Sequence, residues 1–223
     1  MIENNVKEIL SSLPETNNYG ETVTLVAATK TRTVEEINRA IKAGVKEIGE
    51  NKAQEFRDKF PSVLPCRYHF FGRLQKNKVK YLVGKACLIQ SVDSVDLAKE
   101  ISRQSEGKNV VSDILLEVNL GEEQKGGIPY EAVIDAYKQI KTLPNIRVCG
   151  LMTVLPDTDD EKTLKEKCLQ TRKLYDIIKS EDKNFTVLSM GMSADYAVAV
   201  ENGSNMVRIG TGIFGKRDYG EAK

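Results

Sequence analysis

Residues 23–50 read VTLVAATKTRTVEEINRAIKAGVKEIGE. An apolar run from Val23 to Thr29 ends abruptly on a cation, Lys30. Thr33 with Glu36 three positions on has the form of a capping box, and Val34, Ile37 and Ile41 then recur at helical spacing. Gly44 stands where a C′ glycine ends a helix, and a second apolar run, VKEIGE (45–50), follows at once. Strand, helix and strand in immediate succession make a βαβ unit, whose two strands must run parallel.

The same alternation continues outward. Strand-like runs recur at RYHFFG (67–72), ACLIQSV (86–92), VSDILLEVNL (111–120), IRVCGLMT (146–153), FTVLSM (185–190) and NMVRIG (205–210), with helical spacing between them, as at Leu97 and Ile101. Eight strands in 223 residues, without a linker or a break in composition, predict one α/β domain over 1–223. It is a single (β/α)8 TIM-type barrel, with residues 1–20 as an N-terminal helical segment packed on it. A doubly wound open sheet is the competing arrangement. The acidic stretch PDTDDEK (156–162) reads as a solvated loop entering a helix.

Composition narrows the function. Lys and Arg (33) nearly balance Asp and Glu (32), which gives no basic footprint for nucleic acid. Cys66, Cys87, Cys149 and Cys168 form no CxxC pair, and His69 is the only histidine, so the usual zinc spacings are absent and no metal is expected. Free thiols imply a reducing compartment. The opening MIENNVKEILSSLPE has no long apolar run, which predicts a cytoplasmic protein with neither leader nor membrane span.

In a barrel of this type, functional groups project from the C-terminal strand ends, and phosphate sites favour the loops after strands seven and eight. The seventh candidate is followed by SMGMSADYA (189–197), with Met190, Gly191 and Ser193. The eighth leads into RIGTGIFG (208–215), with Arg208, Gly210 and Thr211. Glycines let backbone N–H groups approach an anion. Lys30 ends the first strand and faces the same mouth, where it is either a surface charge or a Schiff-base amine. A Schiff-base lysine opposite a phosphate cup suits a phosphorylated aldehyde such as pyridoxal phosphate (PLP); sugar-phosphate aldolases share that logic. Asn51 could donate to a ring oxygen or cap a helix. His69 reads as a satisfied core residue, and Arg73, Lys76, Lys78 and Lys80 as a solvated helix face. Alternation puts Met206 with Arg208 on one strand face and Val207 with Ile209 on the other, without saying which face is inside.

AATKT around Lys30, IGENKAQE (48–55), HFFGRLQKNK (69–78), GLMTV (150–154), SMGMSADY (189–196) and VRIGTGIFGKRDY (207–219) together resemble the YggS/PROSC family of PLP homeostasis proteins, relatives of the alanine racemase barrel. The resemblance runs from the first strand to the C-terminus. It implies that Lys30 carries PLP as an internal aldimine and that Ser193 with the backbone of Gly210 and Thr211 holds the phosphate. It also implies that Arg208 faces the pyridine nitrogen and Asn51 lies beside the ring, with Met190 and Gly191 in the phosphate-loop motif. HFFG replaces the commoner HFIG. IQSVDS replaces the usual HSVDS, which removes any role for a histidine there.

These implications favour a PLP carrier acting in vitamin B6 homeostasis over two alternatives, a weak amino-acid racemase and a Schiff-base aldolase. An arginine stays protonated and donates to the ring nitrogen without transferring its proton, which makes the cofactor a poor electron sink. Fewer than fifteen residues follow the eighth strand, too few for the racemases' second domain with its tyrosine. The expectation is a monomer without robust catalytic activity. Its partners are PLP and, transiently, PLP-dependent apo-enzymes, with no nucleic acid and no membrane.

Overall fold

The computed structural model describes residues 1–122 and 124–216. Along the chain run α1 (Ile2–Ser12), β1 (Thr24–Ala28), α2 (Val34–Lys42), β2 (Glu47–Glu50), α3 (Ala53–Lys59), β3 (Arg67–Phe70), β4 (Leu88–Val92) and α4 (Val95–Gly107). Next come β5 (Ser112–Asn119), β6 (Ile128–Pro129), α5 (Val133–Ile140), β7 (Ile146–Thr153), α6 (Glu161–Glu181), β8 (Val187–Ser189), α7 (Tyr196–Glu201), β9 (Met206–Ile209) and α8 (Thr211–Phe214). All strand pairings are parallel, in the order β4-β3-β2-β1-β9-β8-β7-β5-β6, and β4 also pairs β5. That last pairing closes the sheet into an eight-stave (β/α)8 barrel and removes the edges an open doubly wound sheet would need. The ninth strand, β6, is a two-residue addition beside the end of β5.

The first βαβ unit forms as its residues dictate. Thr33 Oγ1 accepts from Glu36 N, and Glu36 Oε2 accepts from Thr33 N (2.8 Å), which closes the capping box of α2. Gly44, at φ +121, turns the chain into β2. Period two then divides each stave between two cores. Ala27, Ile48, Phe70, Leu151 and Val207 pack outward under helices that contribute Ile37, Phe56, Leu97 and Tyr175. Val26, Leu88, Leu115, Met152 and Met206 fill the barrel interior. Because both faces are buried, polarity alone does not reveal which is which.

On the flank, α1 buries Ile2, Val6 and Ile9 and packs against α2 and α8, and Asn5 Nδ2 donates to the Ile213 carbonyl (2.9 Å). The basic run lies on a 3₁₀ turn, Lys76–Tyr81, where Lys76 pairs with Asp96 and Lys78 and Lys80 approach the Tyr81 ring. The four cysteines are free thiols. Among the described residues, no helix is long and apolar enough to cross a membrane. Arg217, Asp218 and Tyr219, which end the last motif, lie outside the described residues.

Candidate functional site

The C-terminal rim gathers most of the residues singled out in the sequence. Lys30 lies two residues past β1 and is half-buried. The chain on either side of it is pinned. Thr29 Oγ1 donates to Glu50 Oε1 (2.8 Å), and Lys59 Nζ donates to the Thr29 carbonyl (3.2 Å), Glu50 Oε1 (2.7 Å) and Glu55 Oε2 (2.9 Å). Glu55 Oε2 also accepts from Thr31 N (3.0 Å), and Thr31 sits at φ +66, a conformation a β-branched residue adopts only when its surroundings impose it. Burial raises the Glu50 carboxyl above its ordinary value, outweighing the opposite pull of Lys59 and Thr29.

Across the seam between the first and last staves, Val26 pairs with Arg208. Arg208 therefore shares the interior face with Val26 and Met206. The guanidinium is only 4% exposed. Nη1 donates to Ser189 Oγ (2.6 Å) and Nη2 to the Thr153 carbonyl (2.9 Å). Among the described residues it forms no ion pair. A buried cation without a carboxylate partner is costly, and desolvation lowers it to about 10 despite the charges of Asp195 and Glu117. It is still protonated at neutral pH.

At the end of β9, Ser193 Oγ accepts from the backbone N–H groups of Gly210 (3.3 Å) and Gly212 (3.2 Å). Two amides converging on one oxygen have the polarity an anion requires. Gly191 accepts from Arg208 N and holds φ +95, and a Cβ there would come within 2.8 Å of Ala199 Cβ. Thr211 opens α8 and is exposed. Met190 differs. Its side chain is wholly buried in the outer core, its N–H bonds to Met206 and Ser204, and its carbonyl accepts from Ser204, so Met190 offers no free group to the rim.

Asn51 is not the cap of α3; Lys52 holds that position, without a side-chain bond. The Asn51 Oδ1 atom is buried and has no hydrogen-bond partner among the described residues. A buried acceptor without a donor signals a missing partner.

Glu117 is among the residues that escaped the sequence reading. It lies on the inward face of β5, in electrostatic reach of Arg208 and Asp93. Burial, with the charge of Asp93, pushes its carboxyl up to about 7 against the attraction of Arg208. Its signal was present as alternation, since Asp113, Glu117 and Asn119 recur on one parity of an otherwise apolar strand.

The family described as alanine racemase, N-terminal domain, matches residues 2–218. The chain is 43% identical over 199 residues to the pyridoxal phosphate homeostasis protein of Aquifex aeolicus, covering 87% of each chain. It is 36% identical to the protein of the same name from Synechocystis, covering 94% of this chain and 96% of the relative. Among solved structures, PipY of Synechococcus elongatus with PLP bound superposes at TM-score 0.86 and 28% identity, covering 96% of this chain and all of that one. An alanine racemase of Clostridium difficile superposes at TM-score 0.81 but 14% identity over 56% of its own length, which shows the shared barrel alone. By sequence over nearly its whole length, and by the barrel that carries its rim, this chain belongs to the pyridoxal phosphate homeostasis protein family, within the alanine racemase N-terminal domain.

Proposed function

We propose that this protein binds pyridoxal phosphate at the C-terminal rim of the barrel and serves intracellular vitamin B6 homeostasis. The observation that carries the reading is Arg208, a buried cation with no carboxylate partner among the described residues, set on the same rim as Lys30. PipY, a relative of the same fold, has been seen with PLP bound.

The residues fit the group. Ser193, the Gly210 and Gly212 amides and the Thr211 hydroxyl hold the phosphate, and Gly191 leaves room for the loop that carries Ser193. The orphaned Asn51 amide bonds a polar group of the ring. When bound, the cofactor supplies an aldehyde for an amine to capture and an electron-withdrawing ring. The Lys30 amine would make that attachment, held in place by the pinned backbone of Thr29 and Thr31. Arg208 donates to the ring nitrogen and keeps its proton, which restrains carbanion chemistry and favours holding over turnover.

The test is the absorption spectrum of the purified protein incubated with PLP, before and after borohydride reduction. We expect a visible band that Lys30→Ala abolishes, and a reduced adduct on Lys30 by mass spectrometry. No band, or an adduct on another lysine, overturns the assignment. The finer reading is a cytoplasmic monomer that hands PLP to apo-enzymes. Loaded protein should then reactivate an apo-enzyme faster than it releases PLP into buffer; equal rates would remove the carrier role.

A further inference from the structure

A chain of side-chain hydrogen bonds crosses the barrel interior from the rim to its opposite end. Arg208 Nη1 donates to Ser189 Oγ (2.6 Å), and Ser189 Oγ donates to Gln90 Oε1 (2.7 Å). Gln90 Nε2 lies 3.0 Å from His69 Nδ1, and His69 Nε2 lies 2.7 Å from Glu47 Oε2. Ser189, Gln90 and His69 are buried outright. Glu47 in turn pairs with Arg67 (3.0 Å), whose side chain is 60% exposed, beside a cavity of about 400 Å³ at the N-terminal opening of the barrel. Burial works against the Glu47 charge, but His69 and Arg67 outweigh it and hold the carboxyl below its ordinary value.

Donor and acceptor chemistry selects one arrangement. Arginine only donates, so Ser189 Oγ accepts from it and sends its own proton to Gln90 Oε1. The Gln90 amide nitrogen then faces His69 Nδ1, with Met206 Sδ 3.3 Å away as a weak second acceptor. Nδ1 therefore accepts, and the imidazole proton sits on Nε2, directed at Glu47. Turning the Gln90 amide over would face Ser189 with two donors, leave its own proton unplaced and set the amide oxygen against sulfur.

Barrel interiors are normally filled with apolar layers, as Val26, Leu115 and Met152 do here. Polar side chains in series are costly in that setting unless every member is satisfied, and satisfied networks fix a single geometry. We propose that Ser189, Gln90, His69 and Glu47 are positioning residues for the Arg208 guanidinium. The chain runs in one donor-to-acceptor direction from cation to carboxylate. It fixes which Arg208 N–H groups are left for a ligand and transmits a change at the rim to the imidazole. The ligand part of this inference rests on the reading that Arg208 faces the PLP ring.

His69 is the only histidine of the chain, so its imidazole nitrogen NMR resonances are read without ambiguity. We expect the Nε2–H tautomer in the wild-type protein without PLP. Ser189→Ala removes one oxygen from the middle of the chain. It should shift both imidazole nitrogens and, once PLP is added, weaken its retention about tenfold, the loss of one bond to a charged group. Gln90→Glu presents an oxygen to His69 as well as to Ser189 and should place a proton on Nδ1, whereas Gln90→Leu should not. An Nδ1–H tautomer in the wild type, His69 resonances unmoved by Ser189→Ala, or equal PLP affinity of the two proteins would each overturn the proposal. The NMR arms need no PLP. Failure of the wild type to bind PLP would sink the cofactor reading and leave the relay to stand or fall on the imidazole alone.

Discussion

Glu117 is a carboxylate in a place that favours a carboxylic acid. Its folded value of about 7 stands above the ordinary 4.5, so over that interval the folded protein holds a proton the unfolded chain has lost. The Glu117 contribution to stability is then fully present below about 4.5 and is lost as pH rises through about 7. Glu117→Gln should flatten that decline, removing on the order of 3 kcal/mol of pH-dependent stability. Urea midpoints at acidic and mildly alkaline pH measure it, and an unchanged gap between them would show that Glu117 does not titrate there. Ser193→Ala with Thr211→Ala removes the two hydroxyls proposed to hold the phosphate, each worth about 1.5–3 kcal/mol. PLP retention should fall steeply while the Lys30 adduct still forms at high PLP; wild-type affinity would refute the phosphate cup. That Lys30, Asn51 and Ser193 lie just past strand ends was legible, because the apolar runs before them mark where those strands stop. Alternation did not place Arg208, whose facing came only from the family resemblance, nor Gln90 and Ser189, because a stave buried on both faces hides its inward parity.

Among the elements, the turn between β1 and α2 depends most on its neighbours. Lys59, on α3, is the common partner of Glu50, Glu55 and the Thr29 carbonyl. Lys59→Met would leave Glu50 buried without its cation, at a cost of about 3–5 kcal/mol, and would loosen the frame around Lys30. Chemical denaturation should show that loss, with weaker PLP retention beside it, and adding Glu50→Gln should restore most of the stability. A variant within about 1 kcal/mol of wild type would show that the network contributes little. The capping box of α2 could be read directly, since Thr33 and Glu36 carry their own geometry. The elements β6 and α8, of two and four residues, could not, because so short a run completes no period.

For the whole molecule, eight strand runs interleaved with helical spacing were enough to expect a barrel, and only the β1–β9 and β4–β5 pairings distinguish it from an open sheet. The staves approach closely at β8, which has three residues. There Gly150 lies so close to the Val187 carbonyl that a Cβ would stand 1.7 Å from its oxygen, with Gly150 itself at φ +158. Gly150→Ala should therefore destabilise the whole barrel by about 1–3 kcal/mol, lowering the urea midpoint of every spectroscopic probe together. A midpoint unchanged from wild type would mean the β7–β8 seam yields more readily than its spacing implies.

The seam at which β1 meets β9 sets a timetable. The amine of Lys30 belongs to the first stave, whereas Arg208, Gly210 and Gly212 come with or after the last. A nascent chain emerging from the ribosome carries the lysine through most of synthesis before either the guanidinium or the anion-binding amides exist. On the proposed site, ligand capture would then await closure of the ring, and the chain would meet its cofactor only as a finished fold.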